Sequence, residues 1–236
     1  MDATEMTPFD GYAHDYDAAL SRGLAVSGED KTFFAKGRIR WLARCLAHLN
    51  FAPRTVLDYG CGTGTATPLF FDILRADRVV GVDVSAKSLE IARRTHQGMP
   101  VEYRLTDQHV PDGAIDLAFC NGVFHHVAPD ERGQVADYIA RCLRPGGLFA
   151  LWENNPWNPG ARYVMSRIPF DRDAIPLTAR QARSVVRSAG LQPLRTDYCF
   201  IFPRFLRVLR FTEPFFAKLP LGAQYQVLAR KPESPA

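Results

Sequence analysis

Long apolar runs are missing from this sequence of 236 residues. The longest, such as residues 198–202, fall far short of the roughly 20 apolar residues that a membrane-spanning helix needs. The first residues also lack a basic stretch followed by an apolar one, so we expect no signal peptide. These absences predict a protein of the cytoplasm.

Paired cysteines are lacking as well. The five cysteines are odd in number and never show C-x-x-C spacing, which indicates free thiols buried in a reducing compartment rather than disulfides or a zinc site. Carboxylates at the spacing of a divalent-ion site are not visible either, so the sequence predicts no metal.

The net charge of the chain is small, but the charged residues are unevenly distributed along it. The net charge is +4, whereas residues 156–236 hold 13 lysines and arginines against 5 acidic residues. A basic C-terminal third favours an anionic substrate or surface; solvated helix faces are the alternative. We expect no nucleic-acid partner, because no nucleic-acid module is visible.

Strand-like and helix-like stretches alternate through the middle of the chain. Apolar runs at residues 55–58, 78–83, 101–105, 114–120 and 147–153 are separated by helical patterns. This alternation predicts a doubly wound α/β fold with a parallel sheet. We interpret residues 1–50 as a helical cover and 51–236 as the main domain, with lid or substrate segments at about 154–177 and 203–220 and the whole chain as one structural unit.

A glycine turn follows the first predicted strand. Gly60, Gly62 and Gly64 come directly after it, where glycine permits a tight turn and a close approach of the backbone to a ligand. A dinucleotide fold needs its third glycine at position 65, which is Thr65, and Asp58 precedes the turn. The pattern therefore disfavours NAD, although a purely structural turn stays open.

Acidic residues follow the next two strands. Asp83 ends the second strand, where a carboxylate can accept hydrogen bonds from both hydroxyls of an adenosine ribose. Its alternative role as a helix N-cap is already offered by Ser85. Asp107 lies just past the third strand, where it could accept from an adenine amino group or be an ordinary loop acid.

Five motifs in order carry a family resemblance: DYGCGTG at 58–64, GVDVS at 81–85, TDQHVP at 106–111, IDLAFCNGVFHHV at 115–127 and LRPGG at 143–147. Over residues 54–153 the chain resembles the class I S-adenosylmethionine (SAM)-dependent methyltransferases. The resemblance implies a seven-stranded sheet whose last strand is antiparallel, with SAM as the cofactor. It also implies that Asp58 and the turn hold the methionyl end, Asp83 the ribose and Asp107 the adenine. The expected cofactor contacts are Asp58, Gly60, Cys61, Gly62, Gly64, Asp83, Val84, Asp107, Gln108, Asn121 and Tyr16.

Polar residues after the fourth and fifth strands are candidates for the acceptor end, because ligands of open α/β sheets bind at the carboxyl ends of the strands. In the resembling family the position of His125 often faces the acceptor and the next one, His126, packs behind it. His125 could be a general base for a hydroxyl, with Glu153 and Asn154 orienting the acceptor and Trp157 covering it. Loop packing is the alternative for each.

Aromatic and basic residues outside the core complete the prediction. Tyr12 and Tyr16 have helical spacing, and such tyrosines close over SAM in the family; core packing is the alternative. Arg38 could meet the cofactor carboxylate or pair at the surface. Arg204 belongs to a basic stripe that could bind a phosphate-bearing acceptor or a membrane surface, although a helix packed on the sheet is favoured.

Methyl transfer from SAM to an oxygen of a small, anionic metabolite is the function that these observations favour, with nitrogen or carbon as less favoured targets. An RNA or protein acceptor is the first alternative. A SAM-binding protein without methyl transfer and a SAM-fold enzyme of different chemistry are the others. The oligomeric state is not predicted.

Overall fold

A single seven-stranded sheet organises the computed structural model, which describes residues 23–233. The strands are β1 (Thr55–Tyr59), β2 (Arg78–Asp83), β3 (Val101–Leu105), β4 (Ile115–Asn121), β5 (Leu143–Asn154), β6 (Gln192–Cys199) and β7 (Gln224–Arg230). Their order is β3-β2-β1-β4-β5-β7-β6. The first five strands run parallel, and β7 is antiparallel to both β5 and β6. The predicted doubly wound α/β fold with an antiparallel last strand is confirmed.

Helices connect the strands across both faces of the sheet. They are α1 (Lys31–His48), α2 (Thr67–Asp72), α3 (Ala86–Thr95), α4 (Arg132–Cys142), α5 (Pro159–Ser166), α6 (Ala179–Ser188) and the short α7 (Glu213–Phe216). Local sequence sets their ends: Thr178 and Gln181 form a capping box at the start of α6, and Gly190 follows its end at φ 72°.

Alternate residues of β5 pack on opposite sides of the sheet. Trp152 belongs to the core that α1 and α2 cover, whereas Phe149 and Leu151 belong to the core under α4 and α6. All three side chains are fully buried. Because a strand buried on both faces cannot shift its register without exposing apolar groups, the carboxyl ends of β1, β4 and β5 are held rigidly side by side.

The sequence alone predicts a loop at residues 154–169, and this prediction and the one for the arginine-rich segment both need correction. Residues 154–169 contain α5: the Asn158 side chain accepts a hydrogen bond from the Ala161 N–H, and a proline occupies the first helical position. The arginine-rich segment is not an α-helix packed on the sheet. It forms 3₁₀ turns over Arg204–Thr212 without a buried residue, and its Phe205 is 81% exposed.

The thiols agree with the sequence prediction, since all five cysteines are buried and free. Across residues 23–233, no helix is both long and apolar enough to cross a membrane.

Candidate active site

The glycine turn lies between the ends of β1 and β2. The N–H groups of Gly60 and Cys61 both donate to the Val82 carbonyl, at 2.8 and 3.1 Å. Gly60 has φ +71°, and a Cβ there would lie 2.2 Å from a methyl of Val123, so only glycine fits. Gly62 has φ +53°, but a Cβ there would meet no atom within 4 Å. The turn is thus closed against the protein at Gly60 and open at Gly62.

Asp58 is the penultimate residue of β1 and is buried, with 4% exposure. Burial and the nearby carboxylate of Asp83 together raise its pKa to about 7, against the opposing effect of Arg38. A carboxyl group in this state gains from any ligand that brings a positive charge or a hydrogen-bond donor.

The Asp83 carboxylate is tied to the turn by its own hydrogen bonds. One oxygen accepts from the Gly62 N–H at 2.7 Å and the other from the Ser85 N–H at 2.9 Å. The Ser85 side chain caps α3 by accepting a hydrogen bond from the Ser88 N–H, so Ser85 and not Asp83 is the N-cap, as expected. Asp83 is therefore held at the carboxyl edge of the sheet, beside the glycine turn.

The other predicted adenosine contacts lie at the same edge, beyond the cavity described next. Val84 follows β2 and is 50% exposed. Asp107 and Gln108 are exposed in a short 3₁₀ turn after β3. Their contact with the cofactor stays a prediction.

A cavity of about 180 Å³ opens between the carboxyl ends of β1, β4 and β5. It brings together the predicted site residues Asp58, Gly60, Cys61, Gly62, Asn121, His125, His126 and Asn154, and it does not include Gly64, Glu153, Trp157 or Arg204. The remaining lining includes Lys31 and Arg38 from α1, Met165 from α5, and Phe170 and Asp171 from the segment after α5. Helix α1 and the predicted lid segment at about 154–177 therefore complete a site whose other residues lie at the strand ends.

His125 stands in a 3₁₀ turn directly after β4 and is held by Glu153 of β5. Its Nδ1 lies 2.6 Å from Glu153 Oε2, while Glu153 Oε1 accepts from the backbone N–H groups of Val123 and Phe124. Glu153 is 1% exposed and its carboxylate is used on these groups. Glu153 therefore fixes the His125 ring in place, and its role in the reaction stays a prediction.

Asp171 faces the other side of the His125 ring. Its Oδ1 lies 3.5 Å from His125 Nε2 and 3.3 Å from His126 Nε2. Burial lowers the pKa of His125, but Glu153 and Asp171 outweigh it and raise the value to about 10. For Asp171 burial acts upward, but the two neighbouring histidines outweigh it and lower the pKa below its usual range. The two carboxylates thus favour the protonated form of His125, and its role as a general base stays a prediction.

A polar chain links the cover helix to the end of β5. Arg38 Nη1 donates to Gln224 Oε1 at 3.0 Å, and Gln224 Nε2 donates to Asn154 Oδ1 at 3.1 Å. Arg38 therefore lines the cavity instead of pairing only at the surface, and Gln224 is a site residue that sequence reasoning missed. The signal was its position at the start of β7, whose pairing with β5 brings it opposite Asn154.

The remaining predicted contacts lie away from the cavity or outside the described residues. The Trp157 ring is 67% exposed, and only the backbone N–H of this residue is engaged, with Asn155 Oδ1. Arg204 donates a hydrogen bond to the Gly28 carbonyl at 3.1 Å, so in this structure it links the 3₁₀ turns at 204–212 to the segment before α1. Tyr12 and Tyr16 lie outside residues 23–233.

Comparisons with known proteins agree with this architecture. A family profile described as "Methyltransferase domain" matches residues 57–151. The chain is 32% identical over 139 residues to a trans-aconitate 2-methyltransferase of Acidovorax ebreus, covering 58% of this chain and 49% of the relative. The chain spans about half the length of the first curated relatives it matches.

A second relative is matched over most of its length. The ubiquinone biosynthesis O-methyltransferase of Alkalilimnicola ehrlichii is 31% identical over 183 residues, which cover 71% of this chain and 72% of the relative. Among solved structures, geranyl diphosphate C-methyltransferase from Streptomyces coelicolor A3(2), in complex with Mg²⁺, geranyl diphosphate and S-adenosyl-L-homocysteine, superimposes with a TM-score of 0.59 at 22% identity, covering 81% of this chain and 77% of that one. The latter likeness concerns the fold. With the profile match, the sheet order and the extended identity taken together, the chain belongs to the class I SAM-dependent methyltransferase family.

Proposed function

We propose that this protein transfers a methyl group from SAM to an oxygen of a small metabolite that carries a carboxylate or an ionisable hydroxyl, with nitrogen or carbon as less favoured targets. The observation that carries the proposal is the convergence of the glycine turn and the His125 cluster on one cavity. SAM supplies a methyl group on a sulfonium, so the protein has to bind, orient and desolvate the two reactants.

The cofactor half of the proposal rests on the donor and acceptor groups around the turn. The open space at Gly62 fits a ligand that approaches the backbone closely, and the raised pKa of Asp58 suits a partner with a cationic amine. We propose that Asp58 and the turn hold the methionyl end. Asp83 would accept from the ribose, and Asp107 with Gln108 would contact the adenine.

The acceptor half rests on charge. Lys31 and Arg38 both line the cavity, and their positive charges favour an acceptor that is anionic. The ubiquinone biosynthesis O-methyltransferase relative supports an oxygen atom as the target, and the trans-aconitate 2-methyltransferase relative supports an acceptor that carries carboxylates. We propose that His125, His126 and Asn154 contact the acceptor and that Glu153 positions His125.

Acceptor choice would belong to the two segments at about 154–177 and 203–220. The first contributes Val164, Met165, Ile168 and Phe170 to the cavity wall, which makes that side apolar. We further propose that Tyr12 and Tyr16 close over the cofactor and that Trp157 moves onto the acceptor. A small metabolite bounded by this apolar wall would be shielded from water.

The test pairs two acids at opposite ends of β2. Asp83→Asn should weaken S-adenosylhomocysteine binding by about 10- to 100-fold, because charge-assisted hydrogen bonds contribute about 1.5–3 kcal/mol each. Asp77→Asn is the matched control, since Asp77 is exposed, pairs with Arg54 and precedes β2 at its other end. Isothermal titration calorimetry of both variants measures the effect. Equal affinities would overturn the cofactor assignment.

Turnover is tested with methyl-labelled SAM and an acceptor panel of tricarboxylates and catechols. Label recovered in a small organic product supports the proposal. Label found only in RNA or protein would overturn the small-molecule acceptor. Tight binding without incorporation across the panel and in cell extract would overturn methyl transfer itself.

A further inference from the structure

Three potential metal ligands meet at the acceptor end of the cavity. His125 and His126 are neighbours in the turn after β4, and Asp171 comes from the 3₁₀ helix Pro169–Asp171. The two imidazole Nε2 atoms lie 3.5 and 3.3 Å from the same carboxylate oxygen, Asp171 Oδ1, and the three atoms lie within 4.8 Å of one another. Three potential ligand atoms from three residues thus lie close enough together to bind one ion.

The distances fit coordination better than hydrogen bonding. A charge-assisted N–H···O bond is about 2.7–2.9 Å long, shorter than either separation. Metal–ligand bonds of about 2.0–2.1 Å to nitrogen and oxygen in a tetrahedron place neighbouring ligand atoms ~3.3 Å apart. The measured separations of 3.3 and 3.5 Å are close to that edge length.

Glu153 completes an arrangement typical of metal-bound histidine. Histidine ligands usually donate their second ring N–H to a carboxylate or carbonyl, which fixes the tautomer and aims the other nitrogen at the metal. His125 Nδ1 lies 2.6 Å from Glu153 Oε2, and Glu153 is itself fixed by two backbone N–H groups. This leaves Nε2 as the His125 atom directed at Asp171.

Burial and charge point the same way. The side chains of His125 and Asp171 are 4% and 5% exposed, and all three candidate ligands line the cavity. Two buried carboxylates, Glu153 and Asp171, flank the cluster, and a divalent ion offsets their charge. A set of three protein ligands also leaves a fourth position open, as catalytic sites require.

We propose that His125, His126 and Asp171 bind one divalent transition-metal ion, of the Zn²⁺ class, whose open position faces the cavity and takes an oxygen of the acceptor. The role toward the acceptor rests on the proposed function, but metal binding itself does not. The ion would offset the negative charge of the carboxylates beside it, and the histidines would bind it through neutral imidazoles.

The experiment uses the tag-free full chain, stripped with a chelator and titrated with ZnCl₂ by calorimetry, with bound metal counted by mass spectrometry. We expect one equivalent of Zn²⁺. His126→Gln should weaken binding at least tenfold, and Glu153→Gln should weaken it by about 10- to 100-fold through His125. His48→Gln, an exposed histidine at the end of α1, is the matched control and should bind like the wild type.

S-Adenosylhomocysteine titration of the same variants separates this proposal from the previous one. His126→Gln should retain the wild-type affinity for S-adenosylhomocysteine, which would also show that this variant is folded. If His126→Gln does not fold, Asp171→Asn is used in its place. If the variant loses Zn²⁺ binding but still binds S-adenosylhomocysteine, the metal site is supported. Absence of stoichiometric Zn²⁺ in the wild type, or wild-type Zn²⁺ affinity in both His126→Gln and Asp171→Asn, overturns it whatever the result with S-adenosylhomocysteine.

Discussion

Asp58→Asn should make the ligand-free protein more stable at alkaline pH while weakening its cofactor site. Burial raises the pKa of Asp58 to about 7, against about 4 in an unfolded chain. A carboxyl group whose pKa is raised by folding stabilises the fold below about pH 4, and this contribution is lost as the pH rises to about 7. Asparagine has no such titration.

The magnitude follows from the shift. About three pKa units correspond to about 4 kcal/mol at most. The variant should therefore gain free energy of unfolding relative to wild type, and this gain should grow by about 2–3 kcal/mol between pH 5 and pH 8. Urea unfolding of both proteins at the two pH values, without ligand, measures it.

Asp77→Asn serves as the control, because Asp77 is exposed and its stability difference should not change with pH. S-Adenosylhomocysteine binding gives the second readout: Asp58→Asn should bind more weakly than wild type, and more so at pH 8 than at pH 6. A stability gain that is the same at pH 5 and pH 8 would refute the placement of a buried, raised carboxyl at this position.

Further predictions concern packing and capping. Gly60→Ala should lower the free energy of unfolding by about 2–4 kcal/mol through its left-handed φ and the 2.2 Å clash with a valine methyl, whereas Gly98→Ala, with open space around it, should cost about 1 kcal/mol. Thr178→Ala removes a capping box and should lower the Tm by about 2–4 °C without changing cofactor affinity. Glu153→Gln breaks a buried pair with His125 and should cost about 3–5 kcal/mol; a near-neutral result in denaturant unfolding would contradict the contacts described.

Short local motifs are sufficient to predict the residues at the cofactor end of the site. The glycine turn, Asp58 and Asp83 are each specified within a few residues by a strand end, a turn and a helix start, and the structure has them in those places. The alternation of apolar runs was likewise sufficient for the sheet, because strands buried on both faces need continuous apolar sequence.

Long-range packing explains what the sequence did not reveal. Asp171 lies 46 positions after His125 in the chain, and only the fold of α5 brings the two together. Gln224 and Arg38 join through strand pairing and helix docking that no local pattern encodes. The arginines at 204–212 are spaced by three residues, which suits both an α-helix and a 3₁₀-helix. The sequence therefore predicts a packed helix where the structure has exposed 3₁₀ turns.

Calorimetric titration with S-adenosylhomocysteine tests the central claim most directly. The account predicts saturable one-to-one binding to the wild type, binding about 10- to 100-fold weaker to Asp83→Asn, and no heat with NAD. Absence of binding to the wild type, or equal binding to Asp83→Asn, would contradict the assignment of the cavity as a SAM site.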